Sequence, residues 1–184
     1  MTINANTSLR DIAFLVCTEL DRAGIRAVLT GGSAATVYAS EDYQSRDLDF
    51  IIEYRADEAK PSEALKSLGY TLEGDLYSHE ESPFTLEFPP GPLSVGRDLI
   101  STWEKLKEDD RILYILTPTD CCRDRLAGFL FWDDRGSLDQ ATAVARRQAD
   151  RVDLEAIRAW CESEGVLDKY QEFIRALPPL PTAS

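Results

Sequence analysis

"LTGGSAATVYASEDYQSRDLDFII", residues 29–52, sets two glycines and a serine after one apolar run and two acids, Asp47 and Asp49, at the mouth of another. The run that leads into it, "IRAVLT" (Ile25–Thr30), is rich in β-formers, and "SAATVYAS" after the glycines favours helix. "DLDFIIEY" (47–54) first alternates acid with apolar and then turns continuously apolar, as a central strand of a covered sheet does. The predicted order is strand, glycine turn, helix, loop, strand.

Residues i and i+2 of a strand point to one side, so Asp47 and Asp49 present their carboxylates together while Leu48 points the other way. Two like charges on a buried strand are costly to desolvate without compensation. A divalent cation is the natural compensation, and hard Mg²⁺, with Mn²⁺ as its substitute, prefers carboxylate oxygen. Glu87 lies on another predicted strand, "PFTLEFP" (83–89), where Phe84, Leu86 and Phe88 alternate with Thr85 and Glu87. Three carboxylates converging from neighbouring strands could hold two metal ions about 3.5 to 4 Å apart, the arrangement for in-line phosphoryl transfer. Gly31, Gly32 and Ser33 supply the other half: backbone N–H groups and a hydroxyl at a helix start, suited to a triphosphate. Arg46, immediately before the first acid, is a charge partner for phosphate or for the acids themselves.

Outward from this stretch, apolar residues recur at helical spacing from Ser8 to Ala23, with Ser8 as N-cap and Gly24 as the stop. "ADEAKPSEALKSLGY" (56–70) reads as a helix ending near Gly69, and "RILYILT" (111–117) as a further strand. Beyond Pro118, a first-turn proline capped by Thr117, apolar positions fall at helical spacings only. Three or four helices are expected over 118–177, broken near Gly136 and Gly165, and the tail "LPPLPTAS" reads as loosely ordered. The division is a core over 1–117, a helical subdomain over 118–177 and a tail over 178–184, in an α+β chain without internal repeats.

The chain has 33 acidic against 20 basic residues, a formal net charge of −13, and this argues against an extensive nucleic-acid footprint, which needs clustered Lys and Arg. Arg46, Arg97, Arg123, Arg125, Arg146 and Arg147 are separated rather than gathered in a tract. Cys17, Cys121, Cys122 and Cys161 have no CxxC spacing and His79 is the single histidine, so a thiolate or imidazole zinc site is not expected. His79 reads as a loop residue, Cys121 and Cys122 as small apolar residues of a helix, and Trp132 and Trp160 as core. Arg125 and Trp132, seven apart, share a helical face that could border a nucleobase. No window approaches the ~20 apolar residues of a membrane span, and a cytoplasmic protein with reduced thiols is the expectation.

"GGSAATVYASEDYQSRDLDFII" resembles the signature of the DNA polymerase β type nucleotidyltransferase superfamily: a glycine pair, a helix and a DxD strand. Its wording, GGxAAxxY followed by SRDLDF, is most similar to the AbiEii-type (abortive infection) nucleotidyltransferase toxins and related small stand-alone enzymes, over residues 25–90. The resemblance implies a mixed β-sheet of nucleotidyltransferase fold with flanking helices, followed by a C-terminal helical bundle. It implies that Gly31, Gly32 and Ser33 contact nucleotide phosphates, that Asp47 and Asp49 hold the metals, and that Glu87 stands as the third carboxylate. Relatives of the toxin group carry a helical lysine that aids phosphate binding; this chain has no lysine between Lys107 and Lys169, and Arg125 is the candidate replacement. The implied activity moves an NMP from an NTP to a hydroxyl on a protein, an RNA end or a small molecule, with a cognate antitoxin protein as partner. The alternative is a degenerate nucleotidyltransferase fold that binds nucleotide or protein without chemistry.

Overall fold

The structure, a computed structural model, describes residues 2–57 and 59–177. In chain order the elements are α1 (Leu9–Arg22), β1 (Ile25–Thr30), α2 (Gly31–Tyr38), β2 (Asp47–Arg55), α3 (Pro61–Lys66), β3 (Thr71–Glu73), β4 (Leu76–Ser78) and β5 (Thr85–Glu87). There follow β6 (Ser94–Val95), β7 (Asp98–Leu99), β8 (Glu104–Glu108), β9 (Arg111–Ile115), α4 (Pro118–Trp132), α5 (Arg135–Arg147), α6 (Leu154–Ser163) and α7 (Leu167–Ala176). Seven strands form one sheet in the order β3-β4-β5-β2-β1-β9-β8, and β6 and β7 form a separate ribbon. The sheet is mixed: β2 with β5 and β1 with β9 run parallel, the other neighbours antiparallel. Helices flank it and four more follow it, the α+β arrangement expected from the sequence.

Local chemistry explains the central elements. Ser8 Oγ accepts from Asp11 N and starts α1, a cap worth about 1 kcal/mol. The apolar stripe of α1, including Leu9, Ile12, Phe14, Val16 and Leu20, is wholly buried where the helix packs on β1 and β9. Burial of each such side chain contributes roughly 1.5–3 kcal/mol relative to leaving it in water. In β2 the alternation sorts residues by face: Leu48 and Phe50 are fully buried, while Asp47, Asp49 and Ile51 are half-buried. Leu48 lies beside Leu86 of β5, and Phe50 stacks on Phe88 at 5.9 Å. At the other end Pro118 occupies the first turn of α4 and Thr117 Oγ1 accepts from Asp120 N at 3.1 Å. Helices α4 and α5 pack on one another and both rest on α2, so the helical part is seated on the helix that follows the glycines.

Some boundaries differ from the sequence reading. The helix expected over 56–70 is only Pro61–Lys66, because Pro61 occupies its first turn and fixes the start there. The glycines are not a turn ahead of α2 but its first residues. The break expected near Gly136 comes earlier: Asp133 adopts the left-handed conformation that ends α4, and Asp134 caps α5 by accepting from Gly136 N, which leaves Gly136 inside the first turn. Trp160 is core, but Trp132 is 77% exposed at the end of α4. The expectation for the tail 178–184 lies outside the described residues. Among the described residues no helix is long and apolar enough to cross a membrane.

Candidate active site

Strand β2 enters the sheet between β1 and β5, and this position assembles the acids. Asp49 is in register with Thr30 of β1 on one side and with Glu87 of β5 on the other, and Asp47 is in register with Thr85. Asp47, Asp49 and Glu87 therefore stand on one face of neighbouring strands. Burial first, and then the charges of Asp47 and Glu87, push the Asp49 carboxyl up to about 6, while Arg125 pulls the other way. Asp47 is steadied by Ser45, whose hydroxyl donates to Oδ1 at 2.8 Å.

Gly31 makes room for this group. Its φ is +65°, and a Cβ there would lie 2.5 Å from Asp49 Oδ2, so both backbone and space call for glycine. Gly32 is buried behind it, where a Cβ would approach Tyr43 Oη at 3.1 Å and Ser45 Oγ at 3.3 Å. Ser33 is fully buried: its hydroxyl donates to Thr30 O at 2.7 Å and accepts from Asp49 N at 3.2 Å. That hydroxyl ties α2 to the two strands and does not face the cleft. The first N–H groups of α2 have no partner within the helix and carry its positive end toward the acids.

A cavity of about 290 Å³ opens here, lined by Thr30, Gly31, Asp49, Pro92, Asp124 and Arg125 among others. Arg125 reaches it from α4. Asp124 Oδ2 accepts from both its Nε, at 3.0 Å, and its Nη2, at 2.8 Å, while Gln140 Oε1 accepts from Nη1 at 3.4 Å. The expected sites thus separate: Gly31, Asp49 and Arg125 share the cavity, Asp47 and Glu87 adjoin Asp49, and Gly32 and Ser33 stand behind it. Arg46 is exposed and does not line the cavity. Trp132 does not line it either, so the Arg125–Trp132 face does not form around the cavity. Lys169 lies elsewhere, donating to Phe129 O and Leu130 O at the end of α4. Asp124 and Ser45 act through their neighbours: Asp124 shows in the sequence as part of an acid- and arginine-rich helix, whereas Ser45 enters the sequence reading only as the first residue of SRDLDF, with no role attached to it.

Other arginines are engaged away from this cleft: Arg123 with Asp98 and Asp120, Arg146 and Arg147 with Asp42, Arg97 with Glu164. The four cysteines are buried and unpaired, and burial pushes the Cys17 thiol up to about 12. His79 sits in a loop, its Nδ1 accepting from Glu81 N and Ser82 N.

The fold has a solved counterpart. It is similar to the crystal structure of an antigenic nucleotidyltransferase-like protein from Paracoccidioides brasiliensis, with a TM-score of 0.58 over 92% of this chain and 94% of that one, at 14% identity. The fold is nucleotidyltransferase-like. No protein-family model and no curated protein matches the sequence, so the likeness is one of architecture. In that nucleotidyltransferase-like fold the glycine-started α2 and the acid-bearing β2 meet at the cleft described above.

For a metal, the donor chemistry is all carboxylate oxygen, which suits a hard divalent cation, and the repulsion gathered on Asp49 is what such a cation would relieve. Among the described residues, however, no three His, Cys, Asp or Glu side chains are grouped closely enough to hold an ion. The residues that fit the role are Asp47 and Asp49, with Glu87 beside them rather than in a common ligand shell.

Proposed function

We propose that this chain is a Mg²⁺-dependent nucleotidyltransferase that moves an NMP from an NTP to a hydroxyl. The observation that carries the reading is the Asp49 carboxylate, lodged against Gly31 at the start of α2 with Asp47 and Glu87 beside it and Arg125 opposite. Asp47 and Asp49 would hold the cation, which when bound supplies charge neutralisation of the triphosphate and polarisation of the attacking hydroxyl. The α2 N-terminus and the Arg125 guanidinium receive phosphate oxygens; Asp124 fixes the guanidinium plane that presents two donors. The acceptor oxygen forms a bond to the α-phosphorus, the bond to the β-phosphate oxygen breaks, pyrophosphate leaves, and the hydroxyl proton passes to Glu87.

The similarity of "GGSAATVY" and "SRDLDF" to the AbiEii-type toxins extends this reading to the toxin of a toxin–antitoxin pair acting in the cytoplasm, with an antitoxin protein as partner. Labelled NTPs, Mg²⁺ or Mn²⁺ and cell extract test the transferase reading: label should move to an acceptor and Asp49→Asn should stop it. No transfer from any of the four NTPs by folded protein would count decisively against it.

A second reading has its own support. The three acids do not form one ligand group among the described residues, and Arg125 is already paired with Asp124. A nucleotide- or protein-binding module without chemistry fits these facts, and it would bind NTP in calorimetry while Asp47→Asn left every activity assay unchanged.

A further inference from the structure

The lining of the nucleotide cleft divides in two. Gly31, Asp49 and Arg125 make its charged end. Ile51, two residues beyond Asp49 on the same face of β2, joins Pro92 and Leu93 in an apolar wall. Most of that wall comes from the β6–β7 ribbon and the chain leading into it, residues 89–99. The ribbon's strands have two residues each and pair only with one another, and so short a ribbon does not hold its shape alone. Attachments at its two ends set where the wall stands. At the cleft end Leu93 N donates to Glu53 Oε1 of β2 at 3.0 Å. At the far end the ribbon meets α4 and the end of α6: Arg97 N donates to Glu164 Oε1 at 3.1 Å, and Asp98 accepts from Arg123 Nη2. Arg123 is itself fixed on α4, with Nη1 donating to Asp120 Oδ1 at 2.9 Å and its guanidinium 5.1 Å above the Trp160 ring. Its side chain is 12% exposed and, among the described residues, its buried Nε has no acceptor, so two carboxylates hold this cation in place.

We infer that this apolar wall takes the nucleobase and ribose, and that Arg123 is a positioning residue for the nucleotide. Through Asp98 it ties the wall to α4, the helix that also presents Arg125, and so sets the width of the cleft between them. The inference rests on the cleft being a nucleotide site, which the enzyme and a nucleotide-binding module share, and not on transfer. An apolar wall suits the uncharged face of a base, while phosphates are drawn to the α2 N-terminus and Arg125. Arg123 therefore acts on the uncharged part of the ligand.

Calorimetry in Mg²⁺ with each of the four NTPs, and with inorganic tripolyphosphate as a ligand that has phosphates but no base, tests this. Wild type should bind at least one NTP tenfold or more tighter than tripolyphosphate. Asp98→Arg, at an exposed position facing Arg123, should weaken that NTP at least tenfold, leave tripolyphosphate within threefold and leave the melting temperature unchanged. Asp98→Glu should retain wild-type affinity. Arg123→Met, which keeps the stem over Trp160, should behave as Asp98→Arg does; if it fails to fold, Asp98→Arg decides alone. Where transfer is measurable, Asp98→Arg should raise KM for NTP and leave kcat unchanged. Wild-type NTP affinity in Asp98→Arg, equal losses for NTP and tripolyphosphate, or equal binding of the two by wild type would each overturn the inference. Wild type that binds no NTP would overturn the nucleotide cleft and the inference together. The expected binding pattern without transfer to any acceptor overturns the transferase reading alone and supports the wall.

Discussion

A methyl group at position 31 would meet Asp49 Oδ2 at 2.5 Å, on a backbone already at φ +65°. Gly31→Ala should therefore lose about 1–2 kcal/mol from the left-handed conformation alone, with more from the displaced carboxylate, and urea denaturation measures the sum. Asp49 is expected to behave in the opposite sense. Its folded carboxyl titrates at about 6, above the ~3.9 of an unfolded chain, so between those values the folded state binds more protons. Stability from this group is present below about pH 4 and is lost as the pH rises toward 6. Asp49→Asn should raise the melting temperature at pH 7 without added metal, flatten the slope of stability between pH 4 and 6, and remove NMP transfer. A fall in melting temperature with that variant would mean that the buried charge is already compensated.

Ser33 decides what α2 does as an element. Its hydroxyl fastens the helix start to Thr30 O and Asp49 N, and Ser33→Ala leaves that N–H without its side-chain acceptor, at a cost of about 1–3 kcal/mol. Because the hydroxyl is buried, the variant should show a lower denaturation midpoint and an unchanged KM for NTP; a raised KM with unchanged stability would assign Ser33 to phosphate instead. The elements legible in the sequence were those with a single dominant signal: the stripe of α1, the alternation of β2 and β5, the Thr117-Pro118 start of α4. The β3–β4 hairpin was not legible, since its strands are three residues each and β3 is exposed throughout. Strand β8, "EKLKE", escaped because an edge strand guarded by Lys and Glu reads as solvent-facing chain. Asp47 and Asp49 were legible as a pair because strand period alone puts them on one face. Their relation to Arg125 was not, since it depends on how α4 lies across α2. Trp132 was misread because helical spacing says where a side chain lies around an axis and not whether anything covers that face.

Over the whole molecule, a formal charge of −13 is spread on a chain of 184 residues, and self-repulsion of that kind weakens the compact state at low ionic strength. Added salt should raise the melting temperature by screening, and any divalent salt would do the same without binding anywhere. The specific effect is separable because it belongs to one place. At ionic strength matched with NaCl, Mg²⁺ should add a further rise governed by occupancy, about 2.7 kcal/mol at a hundredfold excess over Kd. The added rise should vanish in Asp49→Asn, while the screening rise remains in both proteins. Mg²⁺ and NaCl acting identically at matched ionic strength would mean that the acids are relieved only by screening and by Arg125. That outcome would favour the binding module over the enzyme, because the transfer step needs a cation to polarise the attacking hydroxyl, whereas the α2 N-terminus and Arg125 could still receive phosphate without one.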